Sequence, residues 1–123
     1  MEGSPSIFST RGAHVALCAG GEHVATCNIH GYQLATGTSF AAPFVTAAAA
    51  LLVSRAQRRS FPLSSDDVRR ILVATAKPWT DPLVRGCGAG ILNALTALQA
   101  LDREIDQSPS SAGEPDAPDI TDA

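Results

Sequence analysis

No run of twenty apolar residues occurs in the 123-residue chain, so no membrane span is expected. The opening stretch, "MEGSPSIFST", has neither a basic n-region nor an apolar h-region, and no secretory signal is expected in it. Aromatic residues are few, at 5%. None interleaves with the basic cluster of Arg55, Arg58 and Arg59, which argues against a nucleic-acid face. Cysteine is nearly absent as well. Cys18, Cys27 and Cys87 form an odd set, which excludes a fully paired disulfide framework within the chain. None stands at C-x-x-C spacing, which argues against zinc. Cys18 and Cys27 flank "AGGEHVAT"; a tight turn at Gly20-Gly21 would set Cys18 opposite His23, so a bridge between these two cysteines is not expected. Each thiol is read as buried or incidental.

What is present suits one small globular domain, with 45% hydrophobic residues. The formal charge of −3 conceals an asymmetry. All nine Lys and Arg lie in residues 1–103 with six of the twelve acids, whereas the last twenty residues hold the other six acids and no base. Residues 1–103 therefore read as the folded part. Residues 104–123, rich in Pro, Ser and Asp and without apolar periodicity, read as a disordered acidic tail.

Along the chain, "AHVALCA" (13–19) reads as a short strand and "EHVATC" (22–27) as a second, with "NIHG" a break before "YQLAT". A long helix is expected from about Ser39 to Arg55. Thr38 or Ser39 is its cap, Pro43 lies in or near its first turn, and the arginines suit the negative end of its dipole. A second helix starts at "SSDD", where Ser64 and Asp67 have capping-box spacing, and is ended by Pro78. A third runs from about Ile91 to Leu101 with Leu92, Leu95, Leu98 and Leu101 on one side. The first helix differs from the other two. From Phe40 to Val53, 14 residues, it is apolar nearly all round, with Thr46 the lone polar side chain of "FVTAAAALLV". Such a helix belongs at the centre of a fold, where burying Phe44, Leu51 or Leu52 contributes roughly 1.5–3 kcal/mol each. Two amphipathic helices and a few short strands are too little to enclose it, so the chain reads as part of a larger domain.

Ser39 stands at the tip of that helix. A hydroxyl there is usually a cap, but backbone N–H groups and the positive dipole end also suit a nucleophile and a developing oxyanion. "GTSFAAP" (37–43) resembles the nucleophile motif of the subtilisin-like serine proteases, the subtilases. The resemblance extends through "FSTRGAHVALCAGGEHVAT", "GYQLATGTSFAAPFVTAAAALLVS", "LSSDDVRRILVATAKP" and "GCGAGILNALTAL", in the family's order over about residues 5–101. It implies an α/β fold, the C-terminal portion of a three-layer subtilisin-like domain, with a buried central helix that starts at the nucleophile. It implies that Ser39 attacks the scissile carbonyl of a peptide or protein substrate to form an acyl-enzyme. It also implies that the Ser39 backbone N–H is one oxyanion donor.

The departures bear on activity. The family's triad runs Asp, His, Ser, yet only 38 residues precede Ser39, with no "D-[ST]-G" and no "H-G-T" among them. The Asn donor of the family's oxyanion hole also lies upstream. His14, His23 and His30 read as ordinary strand or surface residues, and Asn28 as a poor substitute for that donor. Ala19 stands where the family often has Pro, and Phe44 where a non-catalytic His is common. The chain alone is therefore expected to be inactive, as a fragment of a serine endopeptidase or one subunit of a split enzyme completed by another polypeptide. A non-catalytic interaction module that covers its helix by self-association is the alternative, and a small membrane protein using residues 40–53 is disfavoured. No cofactor is assigned. The family often binds structural calcium, but no acidic ligand cluster marks a site. The resemblance suggests secretion, without a signal in this chain to direct it.

Overall fold

A computed structural model describes residues 3–109. The element order is β1 (Val24–Asn28), β2 (Gly31–Ala35), α1 (Thr38–Arg58), α2 (Ser65–Ala74) and α3 (Ala94–Gln107). β1 and β2 form an antiparallel hairpin, from Val24 opposite Ala35 to Asn28 opposite Gly31. "NIHG" is thus its turn, and "YQLAT" supplies its second strand. The expected strand over 13–19 does not form. Within it only Cys18 pairs, in a parallel bridge to Ile91, which also bridges Lys77. Ala13 and His14 lie in a turn closed by Val15 N–H donating to Gly12 O at 3.1 Å, so the extended part starts only at Val15. A ladder, however, needs regularly repeated pairs, and the facing segment 86–92 gives only scattered bonds: Gly12 N–H to Gly86 O, Ala89 N–H to Ala16 O, and those of Cys18 with Gly90 and Leu92.

Helix α1 begins at Thr38, one residue before the expected start and two before its apolar run, and ends at Arg58. Pro43 consequently lies inside it, beyond the first turn, and has no N–H to donate to the Ser39 carbonyl four residues back. Its length of 21 residues and mean hydropathy of 1.4 match a membrane-crossing helix by size and composition, longer than the expected 14-residue stretch. In this fold Ala48, Leu52 and Ala56, at i, i+4 and i+8, form a buried stripe against Ile71 and Leu72 of α2 and Ala97 and Leu101 of α3. Burial on most sides, as its sequence demands, is not achieved by the described residues. Phe44 remains 49% exposed and Leu51 51%, on faces that neither α2 nor α3 reaches.

The capping box of α2 forms as expected. Ser64 Oγ accepts from Asp67 N–H at 3.1 Å, and Asp67 Oδ2 accepts from Ser64 N–H at 3.0 Å. The helix stops at Ala74, short of Pro78, because Lys77 exchanges both backbone hydrogen bonds with Ile91, at 2.7 and 2.8 Å. The same exchange delays α3. Ile91 is extended, Asn93 caps the helix by accepting from Thr96 N–H at 3.1 Å, and the helix runs past Leu101 to Gln107. Residues 104–107 thus belong to α3 and not to the expected tail, whose remainder from 110 onward lies outside the described residues. Leu95 is 67% exposed, so the four leucines do not share one side. Leu92 precedes α3, and spacing of three rotates each successive leucine by about 60° about the axis, so Leu95, Leu98 and Leu101 spread over about a third of the helix.

Exposed ion pairs join α3 to the other two helices. Arg55 of α1 holds Asp102 through two hydrogen bonds, at 2.7 and 3.0 Å, and Arg59 holds Asp106 at 2.7 Å. Arg70 of α2 holds Glu104 through two, at 2.8 and 2.9 Å. Two members of the basic cluster therefore answer specific carboxylates across the helix interface, beyond the general dipole effect expected of them.

Candidate active site

The hairpin delivers the chain through Thr36 and Gly37 to the first residues of α1. Gly37 is the N-cap, at φ +154°, a conformation that side-chain-bearing residues rarely adopt. Its N–H donates to Gly21 O at 2.8 Å, and Thr36 Oγ1 accepts from His23 N–H at 3.0 Å. Gly21 has no room for a side chain. A Cβ there would stand 2.9 Å from Gly37 O and 3.0 Å from the Ala41 Cβ. The turn expected at Gly20-Gly21 falls instead as a bend at Glu22 and His23, and Gly21 just ahead of it presses directly on the start of α1 and sets its position. This contact had no local signal in the sequence beyond the two glycines.

Neither Thr38 nor Ser39 caps α1, and the helix has no side-chain capping hydrogen bond at all. Ser39 sits one residue inside the helix and is exposed. The cap role expected for these hydroxyls is displaced by Gly37, whose carbonyl accepts from Phe40 and Ala41 N–H at 3.1 and 3.3 Å. The Thr38 and Ser39 N–H groups have no acceptor among the described residues. The tip of α1 thus presents an unengaged hydroxyl beside unengaged amide donors at the positive end of a 21-residue helix. Beside it opens a largely apolar groove of about 490 Å³, lined by Phe8, Leu17, Gly37, Ala41 and Val45 among others.

The histidines are placed away from this serine or turned to other tasks. His30 occupies the hairpin turn, separated from Gly37 by the length of β2, roughly 17 Å at 3.3 Å per residue. His14 lies in the exposed bend after Gly12. His23 adopts φ +53° at the base of the hairpin, where its backbone bonds Thr36. Asn28 ends β1 and its side chain ties the hairpin turn: its Oδ1 accepts from His30 N–H at 2.7 Å and its Nδ2 donates to Gln33 Oε1 at 3.1 Å. Cys18 faces Ile91 and not His23, and all three cysteines are free thiols. Among the described residues, no three His, Cys, Asp or Glu side chains converge as a metal site.

Comparison with known proteins places this arrangement. The subtilase family model matches residues 1–108. The chain is 34% identical over 108 residues to an extracellular basic protease of Dichelobacter nodosus, a match covering 81% of this chain and 18% of that protein. It is 34% identical over 95 residues to tripeptidyl-peptidase 2 of Drosophila melanogaster, covering 73% of this chain and 6% of that one. Among solved structures it resembles the patellamide maturation protease PatA, with a TM-score of 0.73 and 33% identity over 82% of this chain and 40% of PatA. It also resembles the PatG macrocyclase in complex with peptide, with a TM-score of 0.70 and 32% identity over 80% of this chain and 33% of that one. The chain spans under a fifth of either curated relative. With a serine at the tip of an apolar helix, a hairpin leading into it and two amphipathic helices behind it, this chain belongs to the subtilase family of serine peptidases and corresponds to the C-terminal part of the subtilisin-like domain.

Proposed function

We propose that this chain is the nucleophile-bearing part of a subtilisin-like serine endopeptidase, with Ser39 as the nucleophile. The observation that carries the proposal is the state of Ser39 at the tip of α1: exposed, free of any capping bond, and flanked by unengaged amides. In this reading Ser39 Oγ attacks a peptide carbonyl. The Ser39 N–H donates to the oxyanion, the amine leaves, and water releases the acyl group. The proton of Ser39 needs a base. None of His14, His23 and His30 stands in the family's His motif, and the Asp and His come from a complementing segment or polypeptide. Without them the hydroxyl is a weak nucleophile, since loss of the serine or histidine alone costs about a million-fold in turnover in the subtilisin mechanism. PatG has been seen with a peptide bound; by analogy the substrate here is a peptide or protein.

Two measurements test this. The chain alone, given unstructured peptide substrates, is expected to show no hydrolysis. Co-folded with a polypeptide carrying the subtilase Asp and His segments, it is expected to cleave them, and Ser39→Ala should abolish that cleavage. Hydrolysis by the chain alone that disappears in Ser39→Ala overturns the need for a complement. Cleavage by the complex that survives Ser39→Ala overturns the role of the serine. A second reading, a non-catalytic module, draws on the exposed face of α1, which such a module would cover by self-association. A soluble, cooperatively folding monomer or dimer supports that module, whereas aggregation favours the fragment; detergent partitioning separately tests the disfavoured membrane reading raised by the dimensions of α1.

A further inference from the structure

Cys18 and Cys87 are 69 positions apart in sequence and adjacent in space. Backbone pairing brings the two segments together. Cys18 N–H donates to Gly90 O at 2.8 Å, Leu92 N–H to Cys18 O at 2.7 Å, and Ala89 N–H to Ala16 O at 2.9 Å. The Cys18 thiol then lies 3.3 Å from the carbonyl oxygen of Cys87, a group that also accepts from the Trp79 indole N–H at 3.3 Å. Cys87 is 2% exposed and Cys18 half-buried, while Cys27 is exposed on β1. The Cys87 thiol is turned to Arg85 O at 3.6 Å, so closing the pair requires rotation of the Cys87 side chain toward Cys18.

We propose that Cys18 and Cys87 form an oxidation site, closing to an intramolecular disulfide by exchange with a small-molecule disulfide such as oxidised glutathione. Cys18, the more accessible thiol, gives its proton to solvent and attacks one sulfur of the oxidant, releasing one glutathione thiolate. Cys87 then loses its proton and attacks Cys18 Sγ in the mixed disulfide, releasing the second. The protein gives up two electrons and two protons, and the oxidant becomes two thiols. Burial, with a smaller contribution from the neighbouring Cys87, holds the Cys18 thiol above its ordinary value. The first step therefore quickens as pH rises through and beyond the usual thiol range. The closed loop contains both α1 and α2, and restricting so long a loop stabilises chiefly by constraining the unfolded chain.

The test uses the full chain carrying Cys27→Ser, so that the exposed thiol forms no intermolecular links. It is equilibrated with glutathione at increasing oxidised fraction, quenched with acid, alkylated in denaturant and weighed. The expected result is concerted loss of both thiols with a mass two hydrogens lower, and a Cys18–Cys87 linked peptide on digestion. Emission from Trp79, the sole tryptophan, should fall as the bond forms beside it. The thermal midpoint should rise by several degrees and return on reduction. The bond should form at least about tenfold more readily in native buffer than in urea, reflecting folded proximity. A stable glutathione adduct on Cys18 with Cys87 still alkylatable overturns the proposal. So does equal closure in urea, or a Cys18–Cys27 link in the chain with all three cysteines.

Discussion

Two serines at two helix starts show how differently the same side chain is used. Ser64 accepts from Asp67 N–H and is held in turn by the Asp67 carboxylate, so its hydroxyl is committed to the fold. Ser39 makes no such bond, because Gly37 takes the cap position ahead of it. Ser64→Ala is therefore expected to lower unfolding stability by about 1 kcal/mol. Ser39→Ala should change it by less than about 0.5 kcal/mol. Denaturant titration of the two variants checks this, and a Ser39→Ala loss equal to that of Ser64→Ala would return Ser39 to the role of a cap. The capping box was legible because both partners lie within one turn of sequence. The freedom of Ser39 was not, since it depends on Gly21 reaching Gly37 from across the hairpin.

At the scale of elements, α3 is held by carboxylates that face arginines on α1 and α2. Hydrogen bonds from Arg55 hold Asp102 below the usual carboxylate range, and those from Arg70 do the same for Glu104. Asp67 is lowered first by Ser64 and further by Arg70. A carboxylate with a depressed folded pKa contributes its stability above the unfolded value, near 4, and loses it as pH falls through the lower folded value. Helicity followed during acid titration is expected to hold to about pH 5 and fall below pH 4. Arg70→Ala should begin less stable at neutral pH and show a shallower loss, the two curves converging in acid. Parallel curves would mean that these pairs are too solvated to matter. The helices themselves were readable from periodicity and caps. Their ends were not, because the Lys77–Ile91 bridge draws residues on both sides out of helix, and because the acids at 104 and 106 are recruited by arginines far back in the chain.

For the molecule as a whole, α1 is the decisive element. Its sequence calls for burial on most sides, and the described residues cover one stripe. The isolated chain is expected to bind a hydrophobic dye and self-associate, and Phe44→Glu with Leu51→Glu should reduce both without loss of helix content. The same pair should weaken assembly with a complementing polypeptide. Light scattering and dye fluorescence decide the matter; a monomer that binds no dye would show that the face needs no cover. Local chemistry alone determined three helices, the hairpin break, the Ser64 cap and the family motif around Ser39, since each rests on residues within a few positions of one another. Tertiary structure alone decided where extended chain found a partner, which face of α1 is buried, that Cys18 meets Cys87, and that Ser39 is left uncapped. Each of these depends on contacts between segments distant in sequence, whose pairing no local pattern encodes.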